Sequence, residues 1–205
     1  MFTRRERQHT QSPSRRLLGA LTAIIGLSFF ISRVDADKAT QAATEVQWPT
    51  GYSPKNADLF THDEVVIHAS PAIVWNYLVA AEQWPNWYSN SRNVKILNSD
   101  HILHPGSRFT WTTFGVRLES TVAEFVPNKR LGWYNTHLDG SGIRSYHAWL
   151  LIPVGDGCRL ISESTEFGPN ISSSAALIRQ GRRFQLNRIK AVSESHPYVG
   201  ASSPK

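Results

Sequence analysis

The sequence predicts an α+β fold: an antiparallel sheet of about seven strands, a short helix pair after the first strand and a long helix at the C-terminal end. Three observations predict it. Val65 to Tyr88 reads as strand, capped helix and a tryptophan-rich turn. From Arg92 to Phe167, apolar and β-branched runs alternate with short turns. From Ser172 to Glu194 there is no proline, and the apolar residues recur at helical spacing.

Taken in order, Val65 to Ala69 is apolar and β-branched, which suits a strand. Ser70 is a good N-cap, and Pro71 fits the first helical position, where a missing N–H costs nothing. Ile73, Val74, Tyr77 and Leu78 then form one apolar helical face. Pro85 disfavours helical geometry at Trp84 and marks a break into a second short helix. Arg92 to Leu97 is the second strand, followed by strands near 107–114, 116–126, 130–138, 143–154 and 157–167. Gly115, Pro127-Asn128 and the Asp139 to Gly142 run separate successive strands, and Gly155-Asp156-Gly157 supplies an Asp-Gly hairpin signal. Connections this short make a meander. In the terminal helix Leu177, Ile178, Phe184, Ile189 and Val192 recur. Gly181 interrupts them, costing about 1 kcal/mol against alanine or allowing close packing.

This order, with the segments I-H-A-S-P-A-I-V-W, W-P-N-W-Y, P-G-S-R-F-T-W, E-F-V-P-N-K-R-L-G-W, H-A-W-L-L-I-P-V-G-D-G-C-R-L and S-E-S-T-E-F-G-P, resembles the START-like helix-grip superfamily (SRPBCC), in particular its polyketide cyclase/dehydrase-like members. The resemblance covers roughly 60–195. It implies a curved sheet gripping the C-terminal helix, with an apolar cavity between them. It does not imply one activity: members bind lipids, hormones and aromatic metabolites, and some catalyse cyclisation or dehydration. A lipocalin-like barrel is the structural rival, and the helix pair between the first two strands argues against it.

The N-terminus reads as a targeting segment. Arg4, Arg5, Arg7, Arg15 and Arg16 precede an apolar run from Leu17 to Ile31, and Val34-Asp35-Ala36 is a small-residue cleavage pattern. Residues 1–36 are therefore expected to be a secretory signal, and the protein periplasmic or secreted. The alternative is an uncleaved anchor in the inner membrane, although the run is shorter than the roughly 20 residues a spanning helix needs. Ser14-Arg15-Arg16-Leu17-Leu18 resembles a twin-arginine signal, with Leu18 where phenylalanine is common. Residues 37–60 read as a tether that becomes ordered near Trp48 or Phe60, 61–195 as the domain, and 196–205 as a disordered tail.

The leader dominates the charge. Its six basic and two acidic side chains supply +4 of the whole-chain +6 and leave a nearly neutral domain. That argues against nucleic acid as a partner. Arg179, Arg182, Arg183, Arg188 and Lys190 remain as a basic patch, read as a solvated helix face or as a dock for an anionic membrane or partner. Oligomeric state is not legible.

Known chemistry motifs are missing. No H-E-x-x-H, C-x-x-C, P-loop or G-x-S-x-G pattern occurs. Cys158 is the only cysteine, so no intramolecular disulfide forms, and it reads as a small buried residue. His101 and His104 are three apart in a loop with no carboxylate partner in the local pattern, a poor metal site. No metal or other cofactor is expected.

Any chemistry must come from side chains on the inner face of the sheet, which strand alternation identifies. One face carries Phe109, Trp111 and Thr113, then Leu118, Ser120 and Val122. The next strands add Leu131, Trp133, Asn135 and His137, then Ser145, His147, Trp149 and Leu151, then Leu160, Ser162, Ser164 and Glu166. A bulge would reverse this reading beyond it. Trp111, Trp133 and Trp149 are expected as cavity walls, with Asn135, His137, His147 and Glu166 as polar points. Trp87 and Tyr88 are expected to close one end and Phe184 to form the helix lid. A small apolar or aromatic ligand suits such a composition. His147 and Glu166 are the candidate acid–base pair if there is catalysis; the family likeness makes Glu163 a second candidate, although alternation points it outward. The two functions in view are a binding or carrier module and a cyclase/dehydratase-like enzyme using the same cavity.

Overall fold

The computed structural model describes residues 45–98 and 101–195. The expected signal or anchor, the start of the tether and the tail lie outside these residues. Seven strands form one antiparallel sheet: β1 (Leu59–Ile67), β2 (Arg92–Ile96), β3 (Arg108–Thr113), β4 (Val116–Val126), β5 (Arg130–His137), β6 (Arg144–Val154) and β7 (Gly157–Phe167). Their order across the sheet is β1-β7-β6-β5-β4-β3-β2. Strands β2 to β7 are thus the expected meander, and β1 pairs with β7.

Between β1 and β2 come helix α1 (Pro71–Val79) and a 3-10 helix (Ala81–Asn86). The Ser70 side chain accepts from the Ile73 N–H, as an N-cap should. The break between the two helices falls at Ala80, before Pro85, which lies inside the 3-10 helix. A 3-10 helix this short has few ladder bonds for proline to remove, so Pro85 is tolerated there. Helix α2 (Ala175–Ser195) follows a 3-10 turn (Ile171–Ser174) and packs on α1, β1 and β7.

Strand β1 starts six residues before the expected Val65. Its first half carries His62, Asp63 and Glu64, which break the apolar pattern. Cross-strand charges explain it: His62 Nδ1 lies 2.7 Å from Glu163 Oε1, and Arg159 bonds Glu64 at 2.6 Å. These pairs sit on the outer face, so Glu163 points away from the core.

The alternation reading of the inner face agrees with the register. Trp111 pairs with Leu118, Ser120 with Asn135, Trp133 with His147, and Trp149 with Ser162. A register shift between Val122 and Glu124 then brings Phe125 inward, where its ring meets Trp75 at 5.0 Å. The main core lies between this face and the helices, built on Trp84, Phe109, Trp133, Trp149 and Leu160.

The outer face has a core of its own. Tyr146, Ala148 and Leu150 of β6 and Ile161 of β7 are covered by Val46, Trp48 and Tyr52. Trp48 meets the Phe60 and Tyr146 rings at 6.0 Å each, and Tyr52 meets Tyr134 at 5.0 Å. The Arg144 guanidinium stacks over Tyr52 and Phe167. Residues 46–52 therefore pack as part of the compact unit that starts at Glu45, and a boundary at residue 61 divides this cluster.

Candidate functional site

Helix α2 buries Ile178, Arg182, Gln185, Leu186 and Ile189 against the sheet. Beneath its first turns lies a cavity of ≈ 180 Å³. Its apolar wall includes Trp111, Phe114, Leu118, Ile143, Ile171 and Ile178. Thr113, Asn135, His137, Ser145, Glu166 and Arg182 supply its main polar groups. Thr113 comes from β3, Asn135 and His137 from β5, Ser145 from β6, Glu166 from β7, and only Arg182 from the helix.

Two hydrogen-bond chains organise these groups. In the first, Trp111 Nε1 donates to Ser120 Oγ at 2.9 Å, Ser120 donates to Asn135 Oδ1 at 2.7 Å, and Asn135 Nδ2 donates to Ser145 Oγ at 2.9 Å. The second surrounds Arg182. Its Nη1 bonds His147 Nδ1 at 3.0 Å, and its Nη2 bonds Glu166 Oε1 at 3.2 Å and Ser164 Oγ at 3.4 Å. Ser164 in turn donates to Glu166 and accepts from Thr61.

The geometry fixes the state of His147. A guanidinium only donates. His147 Nδ1 must therefore accept, and its proton sits on Nε2, which donates to Ser162 Oγ at 2.8 Å. Burial, and then the Arg182 charge, hold its pKa well below the usual histidine value. His147 is neutral, fully buried and bonded at both nitrogens. Arg182 and Glu166, with side chains 8% and 7% exposed, neutralise each other as a buried pair.

The residues singled out by sequence divide into three groups. Trp111, Asn135, His137 and Glu166 line the cavity. Trp133 and Trp149 stand behind the wall in the core: Trp133 is tilted against Trp84 at 5.5 Å, and His147 lies 5.0 Å from Trp133 and 4.7 Å from Trp149. Trp87, Tyr88 and Phe184 gather elsewhere. Phe184 is 42% exposed, lies 6.0 Å from Tyr88, and shares an outer hollow with Trp87, Pro85 and Arg188. The buried stripe of α2 runs through 178, 182, 185 and 189, which turns Phe184 away from the cavity. His147 and Glu166 do not touch; Arg182 joins them.

Arg182 is the residue that sequence reasoning missed. Its charge groups it with the basic patch, yet it lies four residues after Ile178 and seven before Ile189, on the apolar stripe. That spacing was the available signal. Phe114 and Leu177 were also missed as lining residues. Phe114 occupies the β3–β4 turn at φ 51°, a conformation no periodicity marks.

A curved antiparallel sheet closed over a cavity by a C-terminal helix defines the helix-grip class of protein. Solved structures share this fold. A hypothetical protein from Helicobacter pylori is similar with a TM-score of 0.69 at 25% identity, over 73% of this chain and 96% of that one. A protein from Chromobacterium violaceum is similar with a TM-score of 0.54 at 18% identity, over 67% and 98% of the two chains. A protein of the dynemicin biosynthetic locus gives 0.53 at 18% identity, over 68% of this chain and 49% of its own. Residues 61–194 match the family described as polyketide cyclase/dehydrase and lipid transport, and the chain belongs to that family. No curated protein matches.

Proposed function

We propose that this is an exported protein that binds a small apolar or aromatic molecule in the cavity under α2. The cavity itself carries the reading: it is walled by rings and aliphatic groups and holds a few placed polar side chains, the usual make-up of a ligand site. Export is supported by the basic, apolar and small-residue order of residues 1–36. Among the described residues no helix is long and apolar enough to cross a membrane. Toluene titrated calorimetrically into the full chain is expected to bind and to raise Tm. Ile178→Trp, which puts bulk into the cavity, is expected to abolish binding. Binding unchanged in that variant overturns the reading. A reporter fused to residues 1–40 is expected in the periplasm; retention in the cytoplasm overturns the export half.

One observation favours the second reading, a cyclase- or dehydratase-like enzyme. Glu166 and Arg182 put a carboxylate and a guanidinium side by side on the cavity wall. Such a pair can remove a proton beside a ketone and stabilise the enolate. His147 acts here by holding the guanidinium, since both of its nitrogens are engaged. Glu166→Gln is expected to lower turnover by roughly 100-fold or more while leaving ligand affinity nearly intact.

A further inference from the structure

We infer that the ligand is an elongated amphiphile. Its polar end lies in the cavity under α2, and its apolar body crosses Phe114 and Leu177 into a second hollow on the outer flank of the helix. The inference rests on the ligand-binding reading above and names the ligand's chemistry.

Continuity comes first. The cavity is not closed. Phe114 and Leu177 line it and also line an open hollow of ≈ 440 Å³, completed by Asn90, Gln180, Gly181 and Phe184. A single ring needs only about 150 Å³. The two spaces together reach the size of pockets that take drug-sized molecules, about 300–1,000 Å³.

Polarity comes second. Asn135, His137, Ser145 and Glu166 gather at the inner space. The walls of the hollow are mostly apolar, from Phe114, Leu177 and Phe184, with Asn90 and Gln180 as its polar groups. Leu177 and Phe184 are both exposed and stand about two turns apart on one face of α2. Gly181 lies between them and leaves the floor of the hollow without a side chain. Contiguous exposed apolar groups beside a groove mark a surface that something covers. The apolar body of a ligand whose head is inside covers this one.

Shape comes third. Phe114 borders both spaces and holds φ 51°, where a bulky residue is strained. Two contacts keep it there. Its N–H donates to Asn90 Oδ1 at 3.1 Å, and its ring lies against Gly181, where a Cβ would collide with it. Asn90 Nδ2 in turn donates to Tyr88 Oη at 3.0 Å. Backbone strain of this kind collects at ligand sites. A ring fixed at the junction gives the ligand a sill to lie across.

The test compares 4-ethylphenol with 4-hexylphenol by calorimetric titration into the full chain. Each fully buried methylene strengthens binding about fourfold, so 4-hexylphenol is expected to bind at least about 10-fold more tightly even with part of its chain in water. Phe184→Ser removes part of the outer wall, and Gln180→Glu puts a carboxylate beside the alkyl chain. Both positions are exposed, and circular dichroism checks that the variants fold. Each is expected to remove most of the gain while leaving 4-ethylphenol unchanged. Equal affinity for the two phenols in the unaltered chain overturns this inference and leaves the cavity reading standing. So does a gain that survives in either folded variant. If neither phenol binds, the cavity reading itself falls.

Discussion

Arg182 and His147 show how a single side chain can change meaning with its surroundings. His147 would titrate near neutral pH in water, but here burial and a guanidinium lower its pKa. The unfolded chain therefore binds a proton that the folded chain refuses. Stability should be flat above about pH 6.5 and fall as pH drops below it, by up to about 1.4 kcal/mol per pH unit for this one group. Urea unfolding between pH 7.5 and 5 checks this, and His147→Gln should flatten the profile. Glu166→Ala removes the counter-charge of a buried guanidinium and should cost about 3–5 kcal/mol. Trp149→Ala should also lose about 3–5 kcal/mol, because the ring is 1% exposed in the core. If Trp149→Ala instead weakens ligand binding with stability unchanged, the wall has been misplaced.

At the scale of elements, α2 and the β3–β4 turn meet at one glycine. A Cβ at Gly181 would run into the Phe114 ring. The turn is tied down as well: the Phe114 N–H donates to Asn90 Oδ1 at 3.1 Å. Gly181→Ala should therefore destabilise the fold, although alanine is the better helix former by about 1 kcal/mol. In a Phe114→Ala background the clash is gone, and the same substitution should stabilise. A double-mutant cycle by thermal unfolding measures the difference. Sequence reading weighed packing against propensity at Gly181 but could not name the partner, because Phe114 lies 67 residues away in the chain.

Across the whole molecule, the meander from β2 to β7 and the terminal helix were legible because turns and periodicity are local signals. The first half of β1 was hidden by charges whose partners lie about a hundred residues away on β7. The inner face was legible along each strand up to the β4 register shift between Val122 and Glu124, beyond which alternation alone would turn Phe125 outward. Depth was not: alternation says that Trp133 and Trp149 face inward but not that Trp84 fills the space in front of Trp133. The outer cluster under Val46, Trp48 and Tyr52 was legible only as an onset of order near Trp48; what it covers was not, because a proline-containing segment gives no period. A chain beginning at residue 59 should be less stable than one beginning at 45 by about 2–5 kcal/mol, the scale of losing buried aromatic contacts. Equal Tm values for the two would show that the outer cluster contributes nothing.

The central claim, that the space under α2 holds a small molecule, is tested most directly by native mass spectrometry of the protein purified from its own host. The account predicts a stoichiometric adduct with the mass of one small apolar or aromatic molecule, retained by the unaltered chain and lost in Ile178→Trp. An adduct that persists in Ile178→Trp, or a bare chain in both, would contradict it.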